Sequence, residues 1–230
     1  MINKSLIILT TIISLFLLTG CGPVYLPAIY DSAPPMYVPS EVKGESNFIS
    51  GYYNQTGGLY EGESNKFLRA NFARAVGGSW YRFSGCGFAY FGQYDVKKSE
   101  DISERGKKSY FGLGGDVDAN IFLPISFINA GIGVYGGLAT EFGDYSKVWR
   151  ENGNLLTILI PYASTYLFTQ FNITKSDKLT FRFSIGLPGG HSVGISYYNI
   201  NYGGLWIAFH PTEEADEISF SSIGISINIK

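Results

Sequence analysis

Three stretches of this sequence carry residue types that could do chemistry. Gly190-His191-Ser192-Val193-Gly194 has Gly-x-Ser-x-Gly spacing, which at a strained strand-to-helix turn exposes a nucleophilic serine. No helix pattern follows Gly194, and His210 precedes Glu213 and Asp216, whereas that arrangement needs the acid before the histidine. His191 and Ser192 could still serve a barrel-embedded lipid hydrolase, but neighbours on a strand point to opposite faces and would not pair with each other. Gly131-Ile132-Gly133-Val134-Tyr135-Gly136 matches Gly-x-Gly-x-x-Gly. A dinucleotide site needs a helix to open there, and the alternation continuing to Phe142 denies one. His191 and His210 are the only histidines, too few and too far apart for metal-ligand spacing, and the acidic run Glu213 to Glu217 reads as a solvated loop. The chain is therefore read as a non-enzyme with no catalytic residue, no metal and no cofactor.

The remaining chemistry is at the amino terminus. Lys4 gives a short positive region, Leu6 to Leu18 an apolar core, and Leu18-Thr19-Gly20 places small residues directly before Cys21. The apolar run is shorter than the about 20 residues a membrane-spanning helix needs. The tetrapeptide resembles the lipobox of bacterial lipoproteins. That resemblance implies that residues 1–20 are an export signal, that a diacylglyceryl group joins the Cys21 thiol, and that the freed amino group is acylated with palmitate-like chains. Two or more chains hold a protein to a membrane, where one is marginal.

With Cys21 modified, Cys86 has no partner, so no disulfide framework supports this exported chain. Its neighbours, Gly85 and Gly87, offer nothing to lower a thiol pKa, and Cys86 reads as a packing residue. Removing the leader takes away Lys4 alone, leaving 16 basic against 19 acidic residues, which argues against nucleic acid as a partner.

The segment 21–41 carries prolines at 23, 27, 34, 35 and 39, which withhold donors from any ladder, and it is expected to be an extended tether. Residues 42–230 then make one domain. Glycine, at 29 of 230 residues, and aromatics, at 16%, point together to β-structure with close backbone contacts. Period-two alternation recurs, and no convincing amphipathic helix is found. Phe111, Leu113, Gly115, Val117, Ala119, Ile121 and Leu123 share one face against Gly112, Gly114, Asp116, Asp118 and Asn120. Leu179, Phe181, Phe183, Ile185 and Leu187 oppose Lys178, Thr180, Arg182, Ser184 and Gly186, and Ile128, Ala130, Ile132, Val134, Leu138 and Phe142 oppose Asn129, Gly131, Gly133, Gly137 and Glu141. Runs of this length can cross a membrane, which takes about 9 to 11 tilted residues.

A soluble barrel would show Lys, Glu and Thr on its polar face, whereas this polar face is full of glycine. Small residues mixed with Asp and Arg suit a narrow lumen, and the aliphatic and aromatic face suits lipid. Connections alternate between long (Asn54 to Asn65, Lys97 to Lys107, Gly143 to Asn154) and short (Gly77-Gly78, Pro124 to Ser126, Thr174 to Asp177), as barrels with short periplasmic turns do. The expected architecture is all-β: a single antiparallel up-and-down barrel of eight to ten strands. A soluble β-barrel or sandwich stays open as the alternative.

The mature chain resembles the small outer-membrane β-barrel lipoproteins of Gram-negative bacteria, through Cys21 to Pro27, Lys43-Gly44-Glu45 and the closing Ser222 to Lys230. The ending Asn228-Ile229-Lys230 departs from the aromatic terminus common in such barrels. The resemblance implies a lipid-anchored protein of the cell outer membrane, in contact with its lipid, with a periplasmic mature amino terminus and a structural or surface-interaction role through its long loops. The alternative partner is a small apolar ligand held in the lumen or a tyrosine-lined mouth.

Alternation places Arg69, Asp116, Asp118, Glu141 and Arg182 in the lumen, where charge pairing is expected to close it without a wide pore. Arg74 shares its face with Leu68, Phe72 and Val76 and is expected at an interface where its head reaches water. Replacing Cys21 with Ser should abolish both palmitate incorporation and cleavage before this residue. Radioactive palmitate fed to expressing cells reads the first, and a change of gel mobility the second.

Overall fold

The fold is a closed barrel of ten antiparallel strands in up-and-down order, in a computed structural model that describes residues 25–58, 60–97, 102–152, 159–187, 190–211 and 218–229. Cys21, the leader and the Glu213 to Glu217 run lie outside the described residues. In chain order the strands are β1 (Gly44–Gly57), β2 (Ser64–Gly77), β3 (Tyr81–Val96), β4 (Gly106–Ile125) and β5 (Ile128–Gly143). They continue as β6 (Ile160–Asn172), β7 (Asp177–Gly186), β8 (Gly190–Asn199), β9 (Gly203–Pro211) and β10 (Ile218–Ile229). β1 pairs with β10 from Asn47 opposite Ile229 to Asn54 opposite Ser222, which removes both sheet edges. The strand count is the upper value expected from the sequence.

The strand ends joined by the long connections, Gly57 and Ser64, Val96 and Gly106, and Gly143 and Ile160, gather at one mouth, together with Gly186, Gly190, Pro211 and Ile218. The short turns 78–80, 126–127, 173–176 and 200–202 gather at the other. The alternation thus holds except between β7 and β8, where only three residues separate Gly186 from Gly190 at the long-loop end. One loop also contains a helix that alternation did not predict, α1 (Asp144–Asn152). Its signal is Tyr145, Val148 and Trp149, an i, i+3, i+4 stripe that is fully buried against the barrel mouth. Gly143, at φ +108°, makes the break from β5 into this helix, a conformation that residues with a Cβ rarely adopt.

Strand alternation sorts the side chains by face. In β2, Asn65, Phe67, Arg69, Asn71 and Ala73 are buried, while Leu68 and Phe72 are 45% and 57% exposed. Phe111, Leu113, Val117, Phe181 and Phe183 all point outward. The apolar faces are therefore the exterior and the polar faces the interior.

The interior glycines make room for rings on the neighbouring strand. Gly112 lies opposite Tyr90, Gly133 opposite Tyr166 and Gly224 opposite Trp206. A Cβ at any of these glycines would overlap the facing ring. Wall and filler are thus encoded as cross-strand pairs, a small residue beside a large one.

The segment expected as a free tether is inside the barrel. Residues 25–42 form an irregular strap with one 3-10 turn at Ala28–Asp31, and Tyr25, Ala28, Ile29, Ala33, Met36, Tyr37 and Val38 are buried there. The prolines keep the strap out of the sheet, while its carbonyls remain free to accept hydrogen bonds from the wall.

Gly112→Ala should destabilise the barrel by about 1–3 kcal/mol through overlap with Tyr90. Gly87→Ala, which meets open space on the exterior, should change little. Unfolding midpoints in detergent micelles compare the two.

Candidate functional site

The strongest candidate site is the lumen, because it collects charged groups at positions that water reaches poorly. β2 carries Arg69 inward and β4 carries Asp116 two residues from Asp118, so both acids share one face. The Arg69 guanidinium pairs with Asp116, with both side chains essentially buried. Asp116 also accepts from Tyr135 Oη at 2.8 Å and from the strap hydroxyl of Tyr37. Arg69 Nε donates to Asn71 Oδ1 at 2.6 Å, and its guanidinium lies 3.5 Å from the Phe88 ring centroid. Charge, hydrogen bonding and ring stacking together compensate a guanidinium taken out of water.

Asp118 forms a second node. Arg82 Nη2 donates to its Oδ1 at 2.5 Å, and Tyr166 Oη donates to the same oxygen at 2.5 Å. Arg82 was not among the residues picked from the sequence. Its parity was readable, since Phe83 and Phe91 on the same strand point outward and place Arg82 inside.

Glu141 and Arg182 are both in the lumen, but with other partners than the charge pairs expected. Glu141, on β5, accepts from Trp149 Nε1 at 2.8 Å, Tyr90 Oη at 3.1 Å and the Ala28 amide at 3.1 Å. Three uncharged donors thus hold the carboxylate and tie strap, wall and α1 together. Arg182, on β7, donates to the carbonyls of Pro34 and Pro35, the latter at 3.0 Å, and stands 4.9 Å from the Tyr166 ring centroid. Its charge holds backbone instead of a carboxylate. Arg74 lies on the exterior, as its parity requires, in an ion pair with Glu45 that leaves both side chains 63% exposed.

Two further carboxylates clamp the ends of the strap. At the long-loop mouth Glu63 accepts from Tyr25 Oη at 2.8 Å, Tyr94 Oη at 3.1 Å and the Lys97 amide at 2.9 Å. At the short-turn mouth Glu41 accepts from Asn129 Nδ2 at 3.0 Å and Lys178 Nζ at 3.3 Å. A cavity of about 280 Å³ opens beside this clamp, lined by Glu41, Lys178, Tyr198 and Asn228 among others.

The motifs that suggested enzymes sit in regular strands. Gly190 to Gly194 opens β8, where His191 is exposed on the exterior and Ser192 is buried toward the lumen. Gly131 to Gly136 is interior to β5, with strand on both sides. Cys86 is a free, buried thiol whose Sγ lies 3.9 Å from Asn71 Oδ1. Among the described residues, no three His, Cys, Asp or Glu side chains converge on a metal-sized site.

The fold and its lumen define a ten-stranded β-barrel filled by its own amino-terminal segment and by buried charge pairs. Its fold is similar to that of the outer membrane protein OprG from Pseudomonas aeruginosa, with a TM-score of 0.40 and 9% identity over 80% of this chain and 90% of that one. An outer membrane channel from Pseudomonas putida F1 is similar with a TM-score of 0.44 and 7% identity, over 85% and 98%. No protein-family model and no curated protein matches the chain.

Arg69→Met leaves Asp116 buried without its cation and should lower stability by about 3–5 kcal/mol. The double variant Arg69→Met, Asp116→Leu should recover much of that loss, because an apolar pair of similar volume carries no desolvation cost. Arg74→Met, at the exposed pair, should cost under about 1 kcal/mol. Denaturant titration in micelles ranks the three.

Proposed function

We propose that this chain is a lipid-anchored β-barrel of the outer membrane, without a wide pore, that serves a structural or surface-interaction role through its long loops. The observation that carries the membrane reading is the polarity of the two faces. Leu68, Phe72, Phe91, Leu113, Val117, Ile132, Leu167 and Ile225 all face outward and are 45% to 61% exposed. A belt of this extent would be an aggregation hazard in water and is what hydrocarbon accommodates. Closure satisfies every wall strand on both sides, which is the condition for placing β-structure in lipid.

The rims agree with this. Exterior charges stand toward the ends, with Lys66 and Lys107 near the long loops and Arg74 and Glu45 near the short turns. Trp80, Tyr81, Phe127 and Tyr202 ring the short-turn mouth as exposed aromatics, the composition of a membrane-interface girdle.

The absence of a wide pore is supported by the occupants of the lumen. The strap runs its length, Arg182 and Ser226 bind strap carbonyls, and Asp116 binds Tyr37. An apolar ligand would have to displace these contacts, so the lumen does not favour the ligand-binding reading. The loops at the long-loop mouth are then what the barrel presents to other molecules. Lipid attachment at Cys21 rests on the lipobox resemblance.

Purified protein in planar bilayers should show no large, steady conductance, and such a conductance would overturn the closed-lumen reading. In cells, Cys21→Ser protein whose residues 1–20 are replaced by an ordinary cleavable secretory signal should stay in the membrane pellet after alkaline carbonate, because the barrel holds it without acyl chains. Release into the soluble fraction would overturn the membrane-barrel reading and favour a soluble barrel tethered by lipid alone.

A further inference from the structure

The strap has a direction. Its first described residue, Tyr25, bonds Glu63 beside the 58–63 loop, packs edge-on against Tyr60, Tyr94 and Tyr145, and is followed by Leu26, whose carbonyl accepts from Tyr145 of α1 at 2.8 Å. All of these partners belong to the long-loop mouth. Three residues on, the Ala28 amide meets Glu141 and the Ala28 carbonyl accepts from Asn65 at 2.8 Å. Pro34, Pro35 and Tyr37 then meet Arg182, Asp116 and Ser226 deeper in the lumen. Glu41 finally meets Asn129 and Lys178, next to the short turns, and Gly44 begins β1 from there.

The chain therefore descends the whole lumen before the first strand climbs back. With ten strands and this descent, the number of crossings is odd, so the two ends of the described residues, Tyr25 and Ile229, belong to opposite mouths. The carboxyl end agrees: Ile229 pairs with Asn47 at the start of β1, on the short-turn side.

We propose that the chain preceding Tyr25 emerges at the long-loop mouth, so that acyl chains on Cys21 enter the leaflet on the long-loop side. The anchor half of this proposal rests on the lipoprotein reading above. Covalent reach decides between the leaflets. Cys21 is four residues from Tyr25 and can lie at most about 14 Å away along an extended chain. The apolar band of a membrane barrel is about 25 Å tall, so Cys21 cannot reach the far leaflet, and the lumen route back is filled by the strap itself. With long loops facing outward, the lipid lies in the outer leaflet of the outer membrane. The protein is then a surface lipoprotein that crosses the membrane through its own barrel. This replaces the expectation of a periplasmic amino terminus.

Three single-cysteine variants test the sidedness: Val24→Cys beside the proposed exit, Glu61→Cys on a long loop and Lys175→Cys on a short turn. Each is made in the full chain with the buried Cys86 replaced by Ser, alongside the Cys86→Ser parent as the background for Cys21, and treated with a membrane-impermeant maleimide before and after permeabilising the outer membrane. Val24→Cys should label on intact cells, as Glu61→Cys does, while Lys175→Cys labels only after permeabilisation. Val24→Cys behaving like Lys175→Cys overturns the inference and leaves the membrane barrel standing. Equal labelling of Glu61→Cys and Lys175→Cys on intact cells overturns the membrane-barrel reading and this inference with it. An epitope inserted between Pro23 and Val24 gives a second readout where the cysteine variant folds poorly. Antibody binding on intact cells supports the exit, and binding only after permeabilisation overturns it. Loss of palmitate incorporation in Cys21→Ser supports the anchor half, and unchanged incorporation overturns that half alone.

Discussion

Asp116 accepts from Arg69 on β2, from Tyr135 on β5 and from Tyr37 on the strap, so one carboxylate joins two separate parts of the wall to the segment that fills it. A buried carboxylate without such donors would cost several kcal/mol, and these reach it from β2, β5 and the strap together. Filling of the lumen and charge pairing are therefore coupled at one carboxylate in this molecule. The Arg82, Asp118 and Tyr166 node repeats the arrangement near the short-turn end, and Glu141 repeats it near the long-loop end with uncharged donors.

A barrel of eight strands leaves just enough interior for side chains, and ten leave more. Two devices fill the difference here. Rings such as Tyr90 and Tyr166 lie flat over glycines of the next strand, which thickens the wall inward. The strap takes the remaining axis, and its prolines suit it for that place because a chain with few donors asks little of the wall. What the wall supplies is mostly donors, from Arg182, Asn65 and Ser226 to strap carbonyls.

The same arrangement bears on what the protein does. A lumen bridged from Glu63 at one mouth to Glu41 at the other does not favour bulk passage, and the exterior belt favours residence in hydrocarbon. The long-loop mouth gathers the loops, α1 and the start of the strap.

Local alternation in the sequence was enough to determine the strands, the sorting of their faces, and the interior placement of Arg69, Asp116, Asp118, Glu141 and Arg182, because side-chain direction along a strand has a period of two whatever the rest of the fold does. Partner choice was not local. Asp116 finds Arg69 from β2 and Asp118 finds Arg82 from β3 through the register of β2 on β3 and of β3 on β4, which alternation within one strand does not specify. The helix at Tyr145 to Trp149 was written in its spacing, yet it is too short to stand out against its loop without the barrel mouth to bury it. The strap was the least legible part. Five prolines exclude a ladder strand, but they are equally compatible with an extended chain in water and with one in a lumen. Only the tertiary structure, by lining a closed interior with donors that match the strap carbonyls, decided between the two.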